Sequence, residues 1–254
     1  MSTTPKKTWH RIVIGCFICY FVLCVLMFFI QRSLLYFPSR HSDATQLSPW
    51  VQNSETIGYS KEVSSPDVVW LMMHGNAGQA SDRDYILKHM SSRDSLYVLE
   101  YPGYGRRDGS PSQSTIDAAA RDAYQSLRSR FRNTPVCIIG ESIGTGPASM
   151  LANCQPAPDK IVLITPFDTL YRVVARKFFA LPVWLLLRDR WDNIAALQGY
   201  DGEVTIYAAK DDEIIPIRHA EALTEAYPNA TFHTISGGHN DWLLSEDAII
   251  YQSN

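Results

Sequence analysis

Apolar residues follow three patterns along this chain. The first is an unbroken run at residues 12–30, IVIGCFICYFVLCVLMFFI, which carries no charge. As a helix it rises about 28 Å, close to the ~30 Å hydrocarbon core of a bilayer. It has no polar face to turn towards water, as an amphipathic surface helix would. A cleaved signal peptide would show a shorter apolar stretch ending in small residues, and FFIQRS offers no such site. The run therefore predicts an uncleaved single-pass membrane anchor at 12–30, preceded by a tail at 1–11. Lys6, Lys7 and Arg11 precede it, and Arg32 and Arg40 follow. That small excess predicts a cytoplasmic N-terminus and an extracytoplasmic domain.

The second pattern begins near residue 66. Short apolar, β-rich runs recur at VVWLMMH (68–74), SLYVLEY (95–101), VCIIG (136–140), KIVLIT (160–165), VTIYAA (204–209) and TFHTI (231–235). Runs of this kind mark strands covered on both faces. Helical stretches separate them. In 114–131, Ile116, Ala119, Ala120, Ala123, Tyr124, Leu127 and Phe131 recur at helical spacing with arginines opposite. The alternation predicts an α/β domain at 66–254 with a mainly parallel sheet covered by helices. Residues 31–65, irregular and rich in Ser and Pro, read as a connector with one short strand at 56–63.

The third pattern interrupts this rhythm at 167–199. The stretch is apolar, helical in character and broken by Pro182. It predicts a small helical cap over the sheet edge, with Phe178, Phe179, Trp184 and Leu185 to Leu187 offered to an apolar substrate. The alternative is a crossover helix that adds core packing.

Composition narrows the class. The chain has 254 residues, 46% of them apolar, and a net charge of -3. That suits one substantial domain plus an anchor, and it gives no basic excess to hold nucleic acid. Three of the five cysteines, Cys16, Cys19 and Cys24, lie in the anchor as small apolar residues; Cys137 and Cys154 complete the set. No residue cluster calls for a metal or an organic cofactor.

The candidate chemistry starts at Gly140-Glu141-Ser142-Ile143-Gly144, which runs out of the strand at 136–140 and into a helix predicted at 143–154. A serine in so tight a turn needs glycine two residues on either side. The turn exposes its hydroxyl and points the following N–H groups at a developing oxyanion. Serine needs a base, and His239, in Gly-Gly-His-Asn-Asp before a closing helix at 242–251, is the best-placed histidine. A carboxylate should orient that imidazole. Asp212 in KDDEIIP fits, Asp211 is a close rival, and Asp168 is a weaker candidate. The other oxyanion donor should follow the first parallel strand, where His74-Gly75-Asn76-Ala77-Gly78 offers the Asn76 N–H beside that of Ile143. His74 reads as structural. Tyr101-Pro102-Gly103-Tyr104-Gly105 is either a rigid loop or a pocket wall.

Together HGNAG, YPGYG, GESIGTG, KDDEIIP and GGHND resemble the α/β-hydrolase superfamily, in the chain order Ser142, Asp212, His239. More narrowly, they resemble membrane-anchored α/β-hydrolase-domain serine hydrolases, a group that includes acyl-protein thioesterases and hydrolases of monoacyl lipids. The resemblance covers about residues 37–251. It implies an α/β-hydrolase fold, no cofactor, and a small-molecule or lipid acyl ester or thioester substrate, an acylated protein included. The same fold also hosts serine peptidases and non-catalytic binding modules. One departure stands out. Such proteins usually carry an early hairpin with Asp-Gly in its turn, and SETIGYSKEVSSPDVV is too short for it, which predicts an incomplete first edge of the sheet.

Overall fold

The computed structural model describes residues 5–41, 45–244 and 250. In chain order its elements begin with α1 (Pro5–Leu35), β1 (Phe37–Pro38), β2 (Ser48–Gln52), β3 (Glu55–Lys61) and β4 (Val69–Met73). There follow β5 (Ala77–Gly78), a 3-10 stretch Ala80–His89, β6 (Ser95–Leu99), α2 (Gln113–Arg130) and β7 (Val136–Glu141). After α3 (Thr145–Met150) and β8 (Lys160–Ile164) come α4 (Leu170–Lys177), α5 (Val183–Leu186) and α6 (Asn193–Leu197). The chain then forms β9 (Glu203–Ala209), α7 (Arg218–Ala226), β10 (Thr231–Ile235) and a 3-10 turn at Asp241–Leu244.

Eight strands form one sheet in the order β2-β3-β6-β4-β7-β8-β9-β10. β2 and β3 are antiparallel to each other, β3 runs antiparallel to β6, and every other pairing is parallel. Each residue of β4 and β6 is buried, as strands covered on both faces must be. Alternate side chains feed two cores. Val69, Leu71 and Met73 join Ala120, Leu127, Leu151 and Leu223 on one face. Trp70 and Met72 join Ile86, Met90, Trp242 and Ile250 on the other.

Two expectations need correction. The first edge of the sheet is complete: β2 and β3 form the early hairpin inside the supposed connector. Asn53 and Ser54 take the place of Asp-Gly in the turn, with φ of 50° and 65°. α1 is also longer than the apolar run, continuing through Gln31 and Arg32 to Leu35. Most of the closing helix expected at 242–251 lies outside the described residues, although a turn starts at Asp241.

The 167–199 segment divides between its two readings. Val173, Val174 and Phe178 line a cavity at the sheet edge that carries Ser142, whereas Trp191 and Leu197 are buried in the core. Among the described residues, Trp9–Leu35 is the one helix long and apolar enough to cross a membrane. It packs along the α4–α5 segment through Tyr20 Oη donating to the Ala180 carbonyl and Gln31 Nε2 donating to that of Leu186. Asp189, itself buried, accepts a bidentate pair from Arg32 (3.1 and 2.9 Å) and a hydrogen bond from Tyr36 Oη.

Candidate active site

The end of β7 explains why this serine stands out. Ser142 follows directly, at a φ of 53° that L residues rarely adopt. A Cβ on Gly140 would lie 2.6 Å from the Ala148 Cβ, and one on Gly144 would lie 2.2 Å from the Met73 carbonyl oxygen. Only glycine at these positions lets the turn close against β4 and the following helix. The expected helix at 143–154 is a continuous series of a 3-10 turn, α3 and a second 3-10 turn through Asn153.

Three distant side chains meet here. His239 Nε2 lies 2.9 Å from Ser142 Oγ, and His239 Nδ1 lies 2.7 Å from Asp212 Oδ2. All three residues are buried. The other oxygen of Asp212 accepts the Ile214 and Ile215 N–H groups at 2.9 and 2.7 Å, which fixes the carboxylate plane. Asp211 is exposed, and its N–H donates to the Gly237 carbonyl. Asp168 is engaged elsewhere, 2.7 Å from His219 Nδ1.

Asn76 and Ile143 line the same cavity as Ser142 and His239, a space of about 480 Å³. The Asn76 side chain donates to the Leu35 carbonyl, so the last turn of α1 is tied to this loop. Its own carbonyl accepts the Phe37 N–H and the Tyr104 hydroxyl. His74 is fully buried, stacks on Tyr101 with ring centroids 4.1 Å apart, and has Nδ1 2.8 Å from the Gly75 carbonyl oxygen. Tyr101 Oη donates to the His74 carbonyl. The two tyrosines of YPGYG therefore brace the His-Gly-Asn turn from behind instead of walling the pocket.

Sequence reasoning gave Glu141 at most the task of holding the loop beside the serine, with no chemistry, and passed over Arg83 and Tyr85. Glu141 accepts hydrogen bonds from the Gly75 N–H and the Tyr85 hydroxyl, joining the serine turn to the Asn76 loop. Burial pushes the Tyr85 phenol well above its ordinary range, and the Glu141 carboxylate pushes it further, so the proton stays on Tyr85. Burial disfavours the Arg83 cation, but Glu141 and Tyr85 outweigh it and raise its pKa. Arg83 also donates to the Ala77 carbonyl and borders the cavity. Neither Arg83 nor Tyr85 belongs to a local motif; only the fold brings them to the serine.

Of the apolar cap residues expected at the substrate, Phe178 lines the cavity at Ser142. Phe179, Trp184 and Leu185 do not: they are 87%, 65% and 60% exposed and point away from it. The sequence marks this stretch as apolar but not which way its residues face. Leu34, Leu35 and Phe37, from the end of α1 and the residues after it, complete the wall instead. Among the described residues, no group of three or more His, Cys, Asp or Glu side chains converges as metal ligands would.

A model of the alpha/beta hydrolase family matches residues 69–250, more than half of the chain. The chain belongs to the alpha/beta hydrolase family. This hydrolase-family chain is 30% identical over 235 residues to an uncharacterized protein of Mycobacterium tuberculosis, with 83% of this chain and 81% of that protein covered. It is 28% identical over 185 residues to the lysophosphatidylserine lipase ABHD12 of Danio rerio, covering 65% of this chain and 48% of that one. Among solved structures, an esterase of Pyrococcus furiosus superposes with a TM-score of 0.61 at 12% identity, over 81% of this chain and 90% of that one. At that identity the likeness is one of fold. Membership of this family supports hydrolase activity.

Proposed function

We propose that the protein is a membrane-anchored serine hydrolase that cleaves a carboxylic ester or thioester through an acyl-enzyme on Ser142. The observation that carries this reading is the continuous contact from Ser142 Oγ through both nitrogens of His239 to Asp212. Ser142 Oγ attacks the acyl carbon while His239 Nε2 takes its proton. Asp212 holds His239 Nδ1–H and stabilises the imidazolium. The N–H groups of Asn76 and Ile143 receive the tetrahedral oxyanion. His239 returns the proton to the departing alcohol or thiol. Water, deprotonated by His239, then releases the acid and restores Ser142.

The apolar wall of Leu34, Leu35, Val174 and Phe178 supports an acyl chain on the substrate, and the lipase among the relatives agrees with it. A fluorophosphonate probe tests the nucleophile: the wild type should be labelled, and Ser142→Ala should not. Because triad members act as a unit, His239→Ala should lower ester turnover by at least ~10³-fold. Equal labelling of wild type and Ser142→Ala overturns the assignment. Parallel turnover of p-nitrophenyl acyl esters and aminoacyl amides separates an esterase from a peptidase.

The reading places α1 across the bilayer and the hydrolase domain on the extracytoplasmic side, supported by the lysines and arginine before the apolar run. Protease added outside intact cells or spheroplasts should digest the domain. Digestion that requires lysis reverses the orientation.

A further inference from the structure

Residues 178–187, FFALPVWLLL, are all apolar and face away from the catalytic cavity at Phe179, Trp184 and Leu185. Exposed Arg176 and Lys177 precede this segment, and exposed Arg188 and Arg190 follow it. It folds as a hairpin alongside α1, with its tip at Ala180 meeting Tyr20. Tyr20 precedes Arg32 by about 18 Å of helical rise. The tip therefore sits at about the middle of the apolar span, while Arg188, over Phe28, stays near its end.

A short irregular segment tolerates hydrocarbon only when its backbone groups are bonded within the protein. Much of this segment meets that condition, in an unusual way. Anchor side chains, Tyr20 and Gln31, donate to the Ala180 and Leu186 carbonyls. Arg190 reaches back to the Trp184 and Leu187 carbonyls. The Leu181, Leu185, Leu186 and Leu187 N–H groups all bond within the hairpin. The Arg188 guanidinium lies over the Phe28 ring, 5.4 Å from its centroid, as a cation does when its stem snorkels along apolar surface.

A second, apolar space of about 80 Å³ lies between α1 and the hairpin. It shares Leu34, Leu35, Val174 and Phe178 with the catalytic cavity, so the two adjoin across these four side chains.

We propose that residues 178–187 form a re-entrant wedge in the same leaflet as the C-terminal half of α1, and that an acyl lipid of that leaflet enters the catalytic cavity sideways between α1 and α4. The second half rests on the serine-hydrolase reading; the first rests only on membrane anchoring. The occupant of the exposed hairpin is bilayer lipid, because its apolar surface continues that of the anchor it is bonded to.

The full chain, reconstituted in phosphatidylcholine vesicles, tests both halves. Emission lost on Trp184→Phe isolates that residue, and vesicles with brominated acyl chains should quench more than about half of it, as for an indole among lipid tails. Emission from Trp184 that resists brominated chains but yields to aqueous iodide overturns the wedge. Phe179→Glu should lower hydrolysis of 1-oleoylglycerol in vesicles at least about tenfold, because it puts a charge into hydrocarbon. The same variant should keep turnover of soluble p-nitrophenyl butyrate within about twofold, since Phe179 touches neither core nor catalytic cavity. Equal activity on both substrates, or an equal loss on both, overturns the lateral route. A wild type inert to fluorophosphonate and to both esters defeats the hydrolase reading instead, and the quenching result then still decides the wedge.

Discussion

At the scale of single residues, the glycine-serine motif and the histidine after Gly-Gly were legible because each needs a specific backbone turn that only certain neighbours permit. The choice between the adjacent aspartates was not, since Asp211 and Asp212 differ only in which way a loop turns them. Asp168 shows how a plausible candidate is diverted. It is buried among His219 at 2.7 Å, the Arg172 guanidinium at 2.6 Å and the Thr169 N–H at 2.5 Å. Burial alone would raise its carboxyl, but these hydrogen bonds outweigh it and hold the pKa at about 2 instead of 3.8. A depressed carboxylate stabilises the fold fully above its unfolded pKa, and that contribution is lost as the pH falls through the folded value. Asp168→Asn should therefore lower the melting temperature near neutral pH, with the gap to wild type narrowing from about pH 4 towards pH 2. Melting curves across that range check it; a gap that stays constant with pH would show that the charge is not what matters.

At the scale of elements, the buried parallel strands announced themselves because both faces are covered and the apolar runs are continuous. β10 was found as well, at Thr231–Ile235, although it is an edge strand with little buried surface. β3 was met by the short strand expected at 56–63, but β2, and with it the hairpin, escaped because each strand has one covered face and a thin apolar signal: Trp50 in β2 and Ile57 in β3 reach the same core. The lack of Asp-Gly added to the error. Asn53 and Ser54 both carry positive φ, the pattern of a type I′ turn, in which glycine is favoured at the second position. Ser54→Gly should relieve left-handed strain and stabilise the protein by about 0.5–1 kcal/mol. Denaturant unfolding in detergent measures this, and an unchanged or lower midpoint argues against strain at the turn. The cap taught the opposite lesson: its apolar composition was plain, while its facing depended on α1, an element more than a hundred residues away in the chain.

At the scale of the whole molecule, the long apolar helix and the hydrolase-family domain were each legible alone, but their union was not. Apolar content identifies a span; it says nothing of Gln31, Arg32 and Tyr36 reaching the loop after α5, or of Asn76 capping the Leu35 carbonyl. α1 ends at Leu35 and β1 begins at Phe37, leaving one residue between them. The domain is thus bolted to α1 without a stalk. With α1 across a bilayer as proposed, such an arrangement makes foraging planar. Turnover then follows the substrate's mole fraction among neighbouring lipids, so padding the leaflet with inert lipid slows the protein even when substrate per unit volume is constant, and cargo on a facing membrane stays out of reach.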